Sequence, residues 1–498
     1  MTLDARIETD ARIDTDGEGA SVLVLAGPGE PPHAVALIGR RARVDGVVSP
    51  AERAGTGGGW ECRLDLHAAR WGGPARPLPS GRYALSLTAP GGRDIPVDAR
   101  MPVTIAPTMR VSLEEGVVTV GPPIDPAYAS GEGQDALERR YAMRRDPLEN
   151  AVFFESFYGR NASCNPRAID RELARLAPGV TRYWSVVDLS VAVPPGAVPV
   201  VEGSPEWWRA RGAARLLVVN DWLRRRYARR RGQVVLQTWH GTPLKRLALH
   251  RPGVDPRRML AVFRESRRWT VLLAQNGYGE RILRKAYAFL RGPIWVEGYP
   301  RNDVLITGDG AAVRAALGVG ADERVVLYAP TWRDDREEIV DFLDLERLAR
   351  DTGAVVLVRG HSRTLLPGSD TVGARVVDVT AFPDVSELLV AADVLVTDYS
   401  SVMFDFTATG KPIVFFTPDL AHYREDLRGF YFDLPTHAPG PLVTTQEDLT
   451  AALSEPGVPV EFSGRYDAWR ARFNPRDDGG AAARVVARIL DQRFVDRA

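Results

Sequence analysis

Between residues 150 and 420 the chain repeatedly offers short apolar runs, rich in β-branched residues, that stop abruptly at Gly, Pro or small polar residues. Examples are Val234-Val235-Leu236, Val271-Leu272-Leu273-Ala274, Val325-Val326-Leu327-Tyr328, Val355-Val356-Leu357-Val358 and Val394-Leu395-Val396. Such runs are too short for helices and lack polar alternate positions, so each reads as a strand covered on both faces. Helical stretches alternate with them, which is the pattern of a doubly wound parallel sheet. Ligands of open α/β sheets sit at the carboxyl ends of the strands. Chemistry is therefore expected in the loop at the end of each run.

Val234-Val235-Leu236 leads into Gln237-Thr238-Trp239-His240-Gly241-Thr242-Pro243-Leu244-Lys245, where Gly241 and Pro243 stop regular structure just after His240. A histidine delivered at a strand end is a candidate general base; the alternative is a structural imidazole satisfied by backbone groups. Trp295-Val296-Glu297 leads into Gly298-Tyr299-Pro300-Arg301-Asn302-Asp303, and the guanidinium fork of Arg301 suits two phosphate oxygens. The next runs end in Ala329-Pro330-Thr331-Trp332-Arg333, in Arg359-Gly360-His361 and in Asp398-Tyr399-Ser400-Ser401. Ser400 and Ser401 precede an expected helix from Val402 and form the best candidate phosphate cradle, without the glycine spacing of a P-loop or dinucleotide fingerprint.

At 498 residues the chain exceeds one ordinary core. Residues 1–120 carry period-two runs such as Val22 to Leu25, Ala34 to Ile38, Cys62 to Leu66, Tyr83 to Leu87 and Met109 to Leu113, and read as an antiparallel β-sandwich with Gly55 to Gly59 as a loop. Trp60 and Trp71 read as core or edge aromatics in preference to sugar-stacking platforms. Residues 121–150, with a short helix at Ala136 to Tyr141, read as a linker. Two α/β units come next, at 151–308 and 309–498. Pro166 is expected to open a helix in the first, and the helical segment Ala481 to Leu490 to pack back on it. Asp221 to Arg231 reads as an arginine-rich helix ended by Gly232; Arg224 to Arg231 then meets an anionic membrane or a phosphate-rich acceptor, or forms a solvated face.

Lys plus Arg and Asp plus Glu both number 64, so the net charge is zero and general nucleic-acid affinity is not expected. Cys62 and Cys164 have neither disulfide-framework nor zinc spacing. The opening residues do not read as a signal peptide, and no stretch is long and apolar enough to span a bilayer. The expected location is cytoplasmic, with peripheral membrane contact.

Two Rossmann-type units in series, preceded by a small all-β sandwich domain, imply a GT-B-like cleft. The strand-end motifs, with Val402-Met403-Phe404-Asp405 and Lys411-Pro412, resemble in their order the CDP-glycerol glycerophosphotransferase family over roughly residues 150 to 475. The resemblance implies transfer of a polyol phosphate from a CDP-polyol to a lipid-linked polyol-phosphate acceptor, with CMP leaving; it leaves glycerol and ribitol both open. It places Trp239, His240, Gly241, Thr242, Pro243, Arg301, Pro330, Thr331, Arg359, Gly360, His361, Ser400, Ser401 and Asp405 at the donor pocket. The chemistry of the residues themselves makes His240 the base and sets His361, Arg301, Arg359 and the helix start at Ser400-Ser401 against phosphate charge. It also lets Asp405, one helical turn beyond Ser401, accept from a ribose or polyol hydroxyl. Cys164 stands where relatives often carry aspartate. No cofactor is firmly implied: no Asp-x-Asp pair is placed for a metal, and a divalent cation is left open. A nucleotide-sugar glycosyltransferase and a non-enzymatic surface-polymer binding protein are the alternatives.

Overall fold

The structure, a computed structural model, describes residues 7–17, 19–51, 58–331, 343–360, 371–373, 375–420, 429–454 and 457–497. Two seven-stranded sheets dominate it. The first runs Val198–Val201, Thr181–Val186, Glu149–Glu155, Ala214–Val219, Val234–Gln237, Val271–Ala274, Ile294–Val296, all parallel. The second runs Thr371–Gly373, Val376–Asp378, Val355–Val358, Val325–Ala329, Val394–Thr397, Ile413–Phe416, Leu442–Val443. It is parallel except for its first strand, which pairs antiparallel with Val376–Asp378. The apolar runs form these strands because helices cover both faces, leaving Phe153, Leu217, Leu236, Leu327 and Leu395 with no exposed surface.

The helices close the units onto one another. Helix Ala481–Asp491 returns to the first unit and buries Val485, Val486 and Ile489 in its core. The segment expected as a linker holds helix Gly131–Met143, which sends Leu137 and Tyr141 into that same core. The helix expected to open at Pro166 begins two residues earlier and spans Cys164–Leu176. Between the units, Tyr278 of the first packs edge-on against Phe432 and Phe473 of the second.

The leading domain consists largely of two antiparallel sheets around one core that contains Leu23, Leu25, Leu37, Trp60, Tyr83 and Val111. Trp60 is fully buried. Trp71 is half-buried and packs edge-on against Phe382 of the second α/β unit, ring centroids 5.5 Å apart. The domain also reaches the first unit, where the Ser80 N–H donates to Asp188 Oδ2 at 2.8 Å. Of the expected loop at Gly55 to Gly59, residues 55–57 lie outside the described residues. Among the described residues no helix is long and apolar enough to cross a membrane.

One expectation is overturned: residues 221–231 are not helical. Arg211 donates to the carbonyls of Arg224 and Arg226, Arg268 to that of Leu223, and Arg144 to that of Ala228. These carbonyls serve guanidinium groups from elsewhere in the unit instead of i+4 amides, so no helical ladder forms. The arginines of the segment are also engaged: Arg224 and Arg225 pair with Glu202, Arg226 with Glu138, and Arg229 donates to Thr270 Oγ1. Arg230 donates to the Asp146 and Gly212 carbonyls. The segment is a clasp on the first unit and has no charged helical face to offer a membrane.

Candidate active site

The strand ends of both sheets meet at one cleft. Val234–Gln237 ends in Thr238, Trp239 and His240, with Trp239 held at φ 54°, a left-handed conformation costly for a bulky aromatic. Gln237 Oε1 accepts the Trp239 N–H at 2.9 Å, and the Trp239 indole lies stacked on the His240 ring at 5.2 Å. Phe157 meets the His240 ring edge-on at 5.5 Å. His240 Nδ1 lies 2.6 Å from the Asn220 carbonyl at the end of the neighbouring strand. A carbonyl only accepts, so Nδ1 carries the proton and Nε2 is the basic nitrogen. Burial lowers the His240 pKa below its ordinary 6.5 and Arg301 adds to that, while Asp221 and the Asn220 bond oppose it. The imidazole is therefore neutral near pH 7.

Arg301 comes from the 3₁₀ turn Pro300–Asn302 after Ile294–Val296. Its Nη2 donates to Asp405 Oδ2 at 2.5 Å, its Nη1 to Cys164 Sγ at 3.4 Å, and its Nε is buried with no partner among the described residues. Burial works against the guanidinium charge, and Asp405 and Cys164 outweigh it, so the Arg301 pKa is raised. Burial pushes the Asp405 carboxyl up, against Arg301 and Asn302. The two shifts pull in opposite senses; with both Asp405 oxygens accepting hydrogen bonds and the guanidinium in contact, the pair is ionised. Asp405 is thus engaged by Arg301 and Asn302 and positions them; it does not line the cavity, where its place one helical turn beyond Ser401 had suggested a hydroxyl contact.

An open cavity of about 250 Å³ collects His240, Arg301, Pro330, Arg359, Gly360, Ser400 and Ser401. Arg359 Nη1 donates to the Phe382 carbonyl at 2.9 Å; burial lowers its pKa to about 10, so it stays charged at neutral pH. Helix Val402–Phe406, which comes directly after the two serines, is only five residues long and Ser401 makes no side-chain cap bond to it. Gly241 abuts the second unit: a Cβ there would lie 2.6 Å from Ser401 Oγ. Thr242 and Pro243 do not line the cavity; Thr242 Oγ1 donates to Gln275 Oε1 at 2.5 Å, and the Pro243 carbonyl accepts from Tyr278. Thr331 also lies off the wall, its N–H on Asp398 at 2.8 Å. His361, Trp332 and Arg333 lie outside the described residues.

Several participants were not singled out from sequence. Asn165 ties two loops together, donating to the Trp239 carbonyl at 3.1 Å and accepting the Arg301 N–H at 3.1 Å. Phe157, Asn161, Ser163 and Asp384 also line the wall, as does Cys164, which the sequence marked only for its departure from the relatives' aspartate. Ser163 and Cys164 stand at the start of helix Cys164–Leu176, so the positive end of a thirteen-residue helix faces the cavity. Gln275 Nε2 and Asn474 Nδ2 both donate to Asp477 Oδ2, which links the Thr242 loop to the closing helices. Among the described residues no group of three or more His, Cys, Asp or Glu is placed to hold a metal ion.

A family model described as CDP-Glycerol:Poly(glycerophosphate) glycerophosphotransferase matches residues 139–491, leaving the β domain outside. The chain is 36% identical over 375 residues to a teichoic acid poly(glycerol phosphate) polymerase of Bacillus subtilis (strain 168), covering 70% of this chain and 50% of that one. It is 35% identical over 376 residues to a teichoic acid glycerol-phosphate transferase of Staphylococcus aureus (strain NCTC 8325 / PS 47), covering 69% and 94%. A solved structure of the wall teichoic acid polymerase TagF is 32% identical with a TM-score of 0.66, covering 72% of this chain and 94% of that chain. The chain thus spans about half the length of the B. subtilis polymerase and nearly all of the S. aureus transferase. With its strand-end motifs gathered on one cleft within the matched region, the chain belongs to the CDP-glycerol glycerophosphotransferase family.

Proposed function

We propose that the chain transfers glycerol phosphate from CDP-glycerol to the terminal hydroxyl of a lipid-linked glycerol-phosphate polymer and releases CMP. The observation that carries this is a neutral, half-buried histidine, fixed through Nδ1 with Nε2 as its basic nitrogen, in a cavity shared with Arg301, Arg359, Ser400 and Ser401. His240 Nε2 takes the acceptor hydroxyl proton as that oxygen attacks the β-phosphorus of the donor. The new P–O bond forms as the bond from the β-phosphorus to the bridging oxygen breaks, and CMP leaves with that oxygen and the electron pair. Negative charge growing on the phosphoryl oxygens meets Arg301, Arg359, the two serines and the start of helix Cys164–Leu176. His361 is assigned to the departing CMP phosphate on the resemblance. A bound divalent cation would supplement these groups; comparing turnover in EDTA and in Mg²⁺ decides its part.

Glycerol is favoured over ribitol by the relatives. Glycerol-phosphate polymerases and the transferase match at 33–36% over 61–70% of the chain. Ribitol-phosphate polymerases match at 26–32% over 34–47%. A TagF structure obtained after a soak with CDPG supports the donor class. We assign the two parallel-sheet units to the GT-B arrangement and the leading β domain to an accessory sandwich.

We place the protein peripherally on the inner face of the membrane, through helix Pro256–Ser266 in place of the arginine segment. There Met259, Leu260 and Phe263 are 47, 46 and 44% exposed, beside Arg257, Arg258 and Arg264, and Val254 just before the helix is 94% exposed. An apolar stripe bordered by arginines suits an anionic lipid surface.

Incubation with CDP-glycerol, CDP-ribitol and UDP-sugars, with CMP or UDP release and product mass recorded, tests the reading. CMP release from CDP-glycerol with growth of the acceptor is expected. Turnover of UDP-sugars alone would replace it with a glycosyltransferase.

A further inference from the structure

The cavity at His240 continues beyond the two α/β units. Phe157, Asn161, Arg359, Gly360 and Pro383 line it and also line a second cavity, of about 660 Å³, between both units and the β domain. The β domain does not hang loosely over this space. It is fastened to the first unit through Ser80 and Asp188 and to the second through Trp71 and Phe382. Trp71 at φ 55° and Gly72 at φ 68° form a left-handed pair that sets the indole at this contact.

The wall is basic. Arg41, Arg70 and Arg76 come from the β domain and Arg160 and Arg167 from the first unit. The one acidic side chain on the described wall, Glu387, already pairs with Arg167 at 3.2 Å. Arg41, Arg76 and Arg160 have no ion pair or side-chain hydrogen bond among the described residues, while Arg70 lies 5.6 Å over the Trp71 ring. In a chain of zero net charge, Arg41, Arg76 and Arg160 are a local placement of cations unpaired among the described residues, and guanidinium forks are matched to phosphate oxygens.

We propose that this second cavity is the acceptor channel, in which a polyol phosphodiester chain runs along Arg41, Arg76 and Arg160 and presents its terminal hydroxyl to His240. The β domain is then part of the substrate site. The assignment rests on reading His240 as the base that acts on an acceptor hydroxyl. A polyol chain is favoured over a nucleic acid because Trp71, the aromatic on the β-domain wall, is taken up by Phe382 and Arg70 and offers no free stacking platform for bases.

The test is binding of a fluorescent synthetic glycerol-phosphate oligomer to the full chain, measured by anisotropy across a salt series. Arg41→Glu with Arg76→Glu should weaken binding roughly tenfold or more and flatten its salt dependence, since phosphate contacts are lost. Arg160→Gln, on the opposite wall, should also weaken it. The dissociation constant for CDP-glycerol, read separately, should stay at the parent value, as should the melting temperature. Parent-like oligomer binding by both variants overturns the proposal, as does a loss that falls on CDP-glycerol. Equal displacement by a single-stranded oligonucleotide of the same charge overturns the polyol assignment. If the variants lose the oligomer while the parent releases no CMP from CDP-glycerol, the channel stands and the donor reading falls.

Discussion

Asp405→Asn probes the pair on which the phosphate-facing arginine depends. The Arg301 and Asp405 side chains are 5 and 3% exposed, and the carboxylate is the ion-pair partner of the guanidinium among the described residues. Removing that charge leaves Arg301 with the Cys164 sulfur at 3.4 Å and the Tyr299 ring centroid at 5.4 Å, neither of which balances a buried cation. Breaking one side of a buried ion pair costs about 3–5 kcal/mol. For a chain of 498 residues, whose unfolding entropy is about 1 kcal/mol/K, that lowers the melting temperature by roughly 3–5 °C. Removing both charges leaves nothing uncompensated, so Arg301→Met with Asp405→Leu should be less destabilised than Asp405→Asn alone. Thermal unfolding at pH 7, monitored by near-UV circular dichroism, reads both. An Asp405→Asn variant that melts within about 1 °C of the parent, or a double variant that loses the sum of the two single changes, would show that the pair is not what holds Arg301.

Two further predictions concern protons. Because burial holds the His240 pKa below 6.5 and Asp221 opposes that, kcat/KM should be flat through neutrality and fall as pH drops through the lowered value. Asp221→Asn should move that acid limb to still lower pH; an unmoved limb would detach Asp221 from the base. Burial also pushes the Asp477 carboxyl from 3.8 up to about 6. Between those values the folded state binds more protons than the unfolded one, so stability falls as pH rises through this window, by about 3 kcal/mol in all. Asn302 Oδ1 and Asp477 Oδ1 are both buried without a partner among the described residues, and an amide at 477 supplies a donor without a charge. Asp477→Asn should therefore gain stability relative to the parent between pH 4 and pH 7 in urea unfolding; a pH-independent difference contradicts the shift.

The strand runs and the loops that end them were legible because both are local: Val325-Val326-Leu327 carries its own burial signal, and Gly241 and Pro243 end structure wherever they stand. The short strands Val198–Val201 and Leu442–Val443 were not, since a few residues beside prolines carry no period. At residues 221–231 local composition pointed to a helix, but Arg144, Arg211 and Arg268, from elsewhere in the unit, claim the carbonyls that a helix needs. Asp405 illustrates the same limit at the site. Its place one turn beyond Ser401 suggested a ligand contact, whereas its partner, Arg301, lies 104 residues away and only the fold brings them together. Asn165 and Gln275 were invisible for that reason: their function is to bridge loops. The acceptor-side arginines of the β domain lie outside the region that the family resemblance covers.

Whether His240 is the base for transfer is decided by single-turnover transfer from CDP-glycerol to a glycerol-phosphate oligomer in the His240→Ala protein. With the proton acceptor gone, the rate should drop by a factor on the order of 10²–10⁴, while the CDP-glycerol dissociation constant and the melting temperature stay close to those of the parent. A His240→Ala protein that binds donor normally and turns over within about twofold of the parent would show that the imidazole only braces the Trp239 loop, and the mechanism would be wrong.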